Sequence, residues 1–374
     1  KGKKKKKNAT LKDFNQFDCV QSGQLYLTTD RGERKATGSY YTPDYIVNYI
    51  VRNTVGSIVK ARWEEALINN SSLIAATLSV KVLDPAMGSG HFLVGAVDFL
   101  AGKLMQAAER DIEWERVEDR DQFTNEWAKR EVVSHCIYGV DLNELAVELA
   151  KVSLWLTTIA KDKPLSFLDH RLKQGNSLIG AKLSDLKYYP KDKKQARDQV
   201  TLPSFVSPLF IQHLIRKIKE LEEIGDDSLS EIKRKERVFE EFKALPEYTK
   251  AKAIANVHTA VYFGNEVEPK KTPSGMKSSD MVYHDLFWAV GGDESEWRRK
   301  TRWPWFYRAQ DMALEKRFFN WELEFPEIFF EGGSIKESPG FDVVIGNPPY
   351  FSMERVTYLQ PVFEILHHEI YAGK

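Results

Sequence analysis

The chain of 374 residues carries 54 Lys plus Arg against 54 Asp plus Glu, and 42% of its residues are apolar. That apolar share supports a sizeable core and excludes general disorder, while the balanced charge gives no global footprint of a nucleic-acid binder. No apolar run nears 18 residues, so no spanning helix is expected. Cys19 and Cys136 are too isolated for a disulfide framework or a zinc cluster, which points to a reducing, cytoplasmic setting.

In chain order, residues 1–36 read as a poorly patterned N-terminal arm, and its run from Lys3 to Lys7 is the kind of like-charge block that stays solvated. From residue 37 to 180, short apolar runs alternate with helical patterns, the rhythm of an α/β sheet with crossovers. Val80 to Leu83 reads as a buried strand ending at Asp84, and Phe92 to Ala108 is apolar at helical spacing. Cys136 to Val140 is a second strand ending at Asp141, followed by an amphipathic helix from Glu144 to Ile159. Residues 181–335 change character: Ile211 to Lys243 is densely charged and predicts one or two solvated helices. Trp288, Trp297, Trp303, Trp305 and Trp321 come next, and tryptophans of this kind are expected mainly in a core. An unstructured loop of that length is improbable, so the region is predicted to be a mainly helical insertion. The strand signal returns at Phe341 to Ile345, and residues 336–374 hold that strand, the turn after it and the start of the next segment.

Three turns carry the residues that chemistry needs. Asp84-Pro85-Ala86-Met87-Gly88-Ser89-Gly90 sits at a strand-to-helix junction, where open α/β sheets bind ligands, and glycines let the backbone approach a ligand closely. Asp141 ends the next strand, where a carboxylate accepts from both hydroxyls of a ribose; its other reading is a cap for the helix starting at Asn143 or Glu144. Asn347-Pro348-Pro349-Tyr350 comes directly after a buried strand. Its prolines withhold two backbone donors and stiffen the turn, leaving carbonyl acceptors beside the Asn347 side chain. Such a group of acceptors suits a planar amine, and Tyr350 offers a flat face for an aromatic ring.

Together these segments resemble the amino-methyltransferases of restriction–modification and related phage-defence systems that act on DNA adenine. The resemblance covers about residues 37–180 and 318–351, roughly half the chain. Gly38-Ser39-Tyr40-Tyr41-Thr42-Pro43 is similar to the family's N-terminal cofactor motif, and Asp84 to Gly90 with His91-Phe92-Leu93 to its glycine-rich loop. Tyr138 to Asn143, including Leu142, is similar to its acidic ribose motif. Gly175-Asn176-Ser177-Leu178 is similar to the segment that contacts the cofactor's adenine, where many members carry Asp at the place of Asn176. Asn347 to Tyr350 matches the catalytic tetrapeptide. The stretch from Phe319 to Pro326 recurs in large, insertion-bearing members, and the resemblance assigns it no catalytic role.

The resemblance implies a Rossmann-like class I methyltransferase sheet, incomplete at the C-terminal side, with residues 37–180 as the cofactor-binding part. It implies S-adenosyl-L-methionine as cofactor and double-stranded DNA as partner, with the target adenine flipped out of the stack. Asn347 and the Pro348 carbonyl would accept the N6 hydrogens while Tyr350 stacks on the base. No metal is implied. A DNA-sequence-reading domain is expected beyond residue 374, other defence-system proteins are candidate partners, and the chain by itself is expected to be inactive. Two further readings stay open: an amino-methyltransferase of protein glutamine or ribosomal RNA, and a non-catalytic cofactor-binding or specificity module.

Overall fold

The computed structural model describes residues 42–113, 123–190 and 208–349, together with Leu359 and Phe363. Helix α1 (Asp44–Ile68) buries Val47, Val51, Val55 and Val59, a four-residue spacing that lays one apolar stripe along the helix. A short α2 (Leu73–Leu78) starts at Ser72, whose side chain accepts from the Ala75 amide. Then come β1 (Val82–Asp84), α3 (His91–Glu113), α4 (Asn125–His135), β2 (Ile137–Asp141), α5 (Glu144–Thr157) and β3 (Leu172–Gln174).

The strands are shorter than the apolar runs suggest, and side-chain and helix-end bonding accounts for it. The Val80 amide closes the last turn of α2 on Thr77, and the Lys81 amide is taken by the Asp342 carboxylate at 2.7 Å. Cys136 caps α4 through Val132 before β2 begins. At the end of α5 the Thr158 amide and hydroxyl both turn back to Leu154, so Ile159 lies outside the helix.

The insertion is helical, as its composition predicts: α6 (Pro208–Glu223), α7 (Leu229–Ala244), α8 (Pro246–Tyr262), α9 (Ser279–Trp288), α10 (Glu294–Thr301) and α11 (Pro304–Lys316). A small hairpin, β4 (Lys270–Thr272) with β5 (Gly275–Lys277), interrupts it. Ser228 and Glu231 form a reciprocal capping box at the start of α7, satisfying two helix-end donors at once. The charged stretch from 211 to 243 is not solvated all round. Ile211, Leu214, Ile218, Leu221, Val238 and Phe242 are buried in the insertion's own core, because the charges leave a continuous apolar face. Of the tryptophans, Trp305 is at the centre of that core and Trp288 is exposed. The core also takes in Phe167 and Ile179 from around β3, so the insertion's packing begins before residue 181.

The chain returns through α12 (Trp321–Glu324), α13 (Pro326–Phe329) and a minimal hairpin, β6 (Phe330–Glu331) with β7 (Ser334–Ile335), to β8 (Val343–Val344). The sheet has the order β3-β2-β1-β8, with every pair parallel. Alternate residues face opposite sides of a strand. Val82, Ile137 and Val343 join the core under α1, α3, α4 and α5, while Leu83, Tyr138 and Val140 pack against Phe319, Phe325 and Ile328. Both faces of β1 and β2 are covered, as a parallel sheet requires, while Val344 of β8 is exposed. The order reverses direction between β1 and β8, the switch point at which such sheets open a crevice. Among the described residues, no helix is long and apolar enough to cross a membrane.

Buried charges tie the returning segment to the sheet and to the insertion. Glu324 receives Lys173 from β3 at 3.2 Å and, from α8, Lys252 at 2.7 Å and the Tyr248 hydroxyl at 3.2 Å. Burial alone would raise this carboxyl, but the Lys252 and Lys173 ammoniums hold it down to about 2. A carboxylate depressed below its ordinary 4.5 stabilises the fold above that pH, and the contribution is lost as pH falls toward 2. Glu324→Gln leaves one buried and one partly exposed ammonium without their counter-ion, and breaking such a network costs about 3 kcal/mol. Urea unfolding at pH 7 should show a loss of that order, shrinking at acid pH.

Candidate active site

The site lies at the carboxyl ends of the four strands. Asp84 ends β1, Asp141 ends β2, Gln174 ends β3, and Asn347 comes three residues after β8. After β1 the chain turns into α3 through Gly88 and Gly90, whose φ values of 54° and 83° are left-handed, a conformation glycine adopts without a steric penalty. At Gly90 the backbone also passes close to Ala150 of α5, and a side chain there would crowd it.

Asp141 organises this loop. One carboxylate oxygen accepts the Gly88 amide at 2.8 Å and the other accepts the Asn143 amide at 2.8 Å. The helix cap is Asn143, whose side chain accepts from Leu145, so Asp141 is not the capping residue. The Met87 amide donates to the Val140 carbonyl at 3.1 Å, stitching the same loop to β2 a second time. The Asp141 carbonyl then accepts the Gly175 amide at 2.9 Å, linking the end of β2 to the segment after β3.

Asp84 is 1% exposed and accepts the Ala86 amide at 3.0 Å. Gly346 passes directly over its carboxylate, with no room there for a side chain. Burial, with the nearby Asp141 charge, pushes the Asp84 carboxyl up to about 7 against the opposing pull of the Ala86 amide. Beyond Gly346, the Asn347 amide nitrogen donates to the Thr42 hydroxyl at 3.1 Å. Thr42 and Asn347 are 305 positions apart, and the bond joins the N-terminal motif to the tetrapeptide. With its nitrogen so engaged, Asn347 has its carbonyl oxygen left as an acceptor.

Pro85, Ala86, Asn176 and Ser177 are half-buried around the strand ends, Leu142 is exposed, and Pro348 and Pro349 are exposed. The Asn176 side-chain oxygen, Oδ1, accepts the Leu178 amide at 3.1 Å within its own loop. Phe92, in the first turn of α3, is buried in the core. Tyr41 and Tyr350 lie outside the described residues. Thr42, Asp84, Gly88, Asp141, Asn176 and Asn347 are thus brought together at one end of the sheet.

A further set, to which sequence reasoning gave no role, touches the same place. The Asn176 amide donates to the Arg317 carbonyl at 2.6 Å, and the Phe319 amide to the Ile179 carbonyl at 2.7 Å. Trp321 donates through Nε1 to the Ser177 carbonyl at 3.1 Å, and the Asn320 side chain accepts the Ala181 amide at 3.0 Å. Gly175 and Gly180 carry a readable signal, because a side chain at either would collide with Phe319.

The Asp84 carboxyl has a consequence for stability. The unfolded chain ionises this group near its ordinary 3.8, whereas the folded protein keeps the proton to about 7. Stability is therefore fully present below 3.8, drains as pH rises to about 7, and is level above it. Asp84→Asn keeps the acceptor for Ala86 and does not titrate. Its melting temperature should exceed the parent's at about pH 8, the gap closing by about pH 4; equal temperatures at both values would refute the raised carboxyl.

The chain is similar to known restriction-modification proteins. The sequence profile described as Eco57I restriction-modification methylase matches residues 135–271 and 276–371, and that of the MmeI DNA-methyltransferase domain matches residues 61–175. A protein of Methanocaldococcus jannaschii, named as a putative type II restriction enzyme and methyltransferase, is 27% identical over 370 residues, covering 87% of this chain and 29% of its own length. The type II restriction enzyme and methyltransferase Eco57I of Escherichia coli is 30% identical over 149 residues, covering 37% of this chain and 14% of its own. The chain thus spans less than a third of the length of either relative. The first profile takes in well over half of the chain, and the protein belongs to the Eco57I restriction-modification methylase family.

Proposed function

We propose that this site transfers a methyl group from S-adenosyl-L-methionine to the N6 amine of an adenine flipped out of double-stranded DNA. The observation that carries the reading is the Asn347–Thr42 hydrogen bond, which sets the catalytic tetrapeptide against the cofactor motifs with its carbonyl oxygen left to accept. Family membership and the names of the two relatives support DNA as the substrate. The choice of adenine rests on Asn, at position 347, heading the tetrapeptide, a resemblance to the adenine-modifying members.

The residues present suit the cofactor. Nothing stands within 4 Å of the position a Gly88 side chain would take, so the loop is open on that side. Asp141 is already oriented by two amides and keeps lone pairs for ribose hydroxyls. The Asp141 carboxylate gives the strand ends an anionic character suited to a cationic ligand. When bound, S-adenosyl-L-methionine supplies the methyl group on a sulfonium.

Everything else falls to the chain's own residues. An aromatic amine is a poor nucleophile because its lone pair is delocalised into the ring. Acceptance of its two N–H groups by Asn347 Oδ1 and the Pro348 carbonyl favours the pyramidal, attacking form. Acceptors aimed at developing positive charge are a form of electrostatic preorganisation, and holding the amine in line removes much of the entropic barrier. A stacked base cannot enter such a pocket, so extrusion precedes the chemistry, and Tyr350 replaces the lost stacking neighbours.

Two measurements on the full-length protein test this. Calorimetry should show S-adenosyl-L-methionine binding that Asp141→Ala weakens about 10- to 100-fold, the loss of one or two hydrogen bonds to hydroxyls. Labelled methyl transfer to duplex DNA should appear on adenine and fall about 10²- to 10³-fold in Asn347→Ala, the usual effect of removing one transition-state partner. Label found on RNA or protein instead, with DNA unmodified, would overturn the substrate, and no cofactor binding by the parent would overturn the whole reading.

A further inference from the structure

We propose that residues 317–322, where the insertion returns to the sheet, form a clip that sets the shape of the cofactor-facing loop 175–183. Trp321 and Asn320 act in it as positioning residues for the cofactor's adenine. The inference rests on the cofactor reading above and extends it to residues to which the resemblance assigns no catalytic role.

Apart from the clip, loop 175–183 is bonded through Gly175 to the Asp141 carbonyl, and within itself Leu178 donates to the Asn176 side chain and Ile179 to the Asn176 backbone carbonyl at 3.0 Å. The clip supplies five. They join Arg317 to Asn176, Phe319 to Ile179, Asn320 to Ala181, Trp321 to Ser177, and the Glu322 carboxylate to the Leu183 amide at 2.5 Å. Nearly every residue of the clip is used, through backbone and side-chain groups alike. Phe319 and Asn320 are 2% and 1% exposed, so these bonds are shielded from competing water. Gly175 and Gly180 are cut to fit the ring and backbone of Phe319, which fixes the register of clip on loop.

Arg317 shows that the arrangement is held against local preference. It ends α11 with φ 55° and ψ 51°, a left-handed conformation that carries an energetic penalty for a residue other than glycine. That conformation closes the helix on Ala313 and turns the Arg317 carbonyl toward Asn176. The clip also reaches the catalytic strand. Trp321 and Phe325 lie 6.0 and 5.8 Å from Phe341, which leads into β8 and is itself 5.1 Å from Tyr138 of β2. One segment therefore positions the loop carrying Asn176 and braces the strand leading to Asn347.

The test uses the full-length protein, variants at Trp321 and Asn320, and one matched control. Trp321→Phe keeps a ring in the aromatic cluster and removes only the donor to Ser177. Its matched control is Trp155→Phe, which removes an equivalent bond from Nε1 to the Ser166 carbonyl at 2.8 Å, at the far end of α5. S-adenosyl-L-methionine and S-adenosylhomocysteine should bind Trp321→Phe about five- to tenfold more weakly, the effect of one hydrogen bond, with kcat at saturating cofactor within about twofold of the parent. Trp155→Phe should lose a similar amount of melting temperature with cofactor affinity unchanged. Asn320→Asp keeps the acceptor for Ala181 and should bind more tightly than Asn320→Leu. If the parent binds cofactor and both Trp321→Phe and Asn320→Leu bind as the parent does, the clip has no positioning role and the proposed activity stands. If the parent itself fails to bind cofactor, the functional reading falls and this inference falls with it.

Discussion

Parallel strands that end side by side leave their last carbonyls and side chains pointing into one crevice, and something must hold the loops that leave them. Here the hydrogen bonds accepted by Asp141 do so. A single carboxylate reaches across from β2 to the glycine turn after β1 and fixes its own descending chain through Asn143. Its carbonyl holds Gly175 after β3. Three strand ends thus meet at one residue, and the fourth joins through Gly346 lying on Asp84. A substitution at Asp141 would loosen the loop after β1 as well as remove the proposed ligand contact.

Much of this is legible in the sequence because the information is local. A strand that ends in Asp and turns on two glycines announces a ligand crevice, and Asp84, Gly88, Gly90 and Asp141 lie where that pattern puts them. Helix α5 begins at Glu144, where its pattern begins, because the cap is the adjacent residue, Asn143. Strand limits are less legible, since whether Lys81 or Cys136 enters a ladder depends on Asp342 and Val132. The clip is illegible for the same reason in stronger form. Trp321 and Ser177 are 144 positions apart, and neither residue type advertises the other. Only the paired glycines at 175 and 180, set against the aromatic run beginning at Phe318, carry a hint of a close approach.

The first part of the insertion, Ile211 to Lys243, reads in sequence as solvated and charged, and its surface fits that reading. Its interior does not, because a helix with charges on three sides still buries the fourth. What binds the insertion to the sheet is ionic as much as apolar: Lys173, Lys252 and Tyr248 around Glu324, and Arg171 of the sheet side against Glu222 of α6 at 2.5 Å. Arg171 also lies over the Tyr138 ring at 4.5 Å. Buried ion pairs seldom add much net stability compared with well-packed apolar residues. They do penalise misplacement, since a shifted insertion would strand several charges at once.

The clip has a consequence for the order in which the protein is made. The loop it shapes leaves the ribosome some 140 residues before the clip does, which at ordinary elongation rates is roughly 7 to 30 seconds. During that interval β1, β2 and β3 can pair and the helices over one face can dock, because their contacts are close in sequence. Loop 175–183 must wait, with its glycines unrestrained, until the whole insertion has emerged and folded back. Completion of the cofactor cradle is therefore coupled to completion of a region that lies far off in the chain, so a polypeptide arrested inside the insertion would hold a recognisable sheet and an unfinished site.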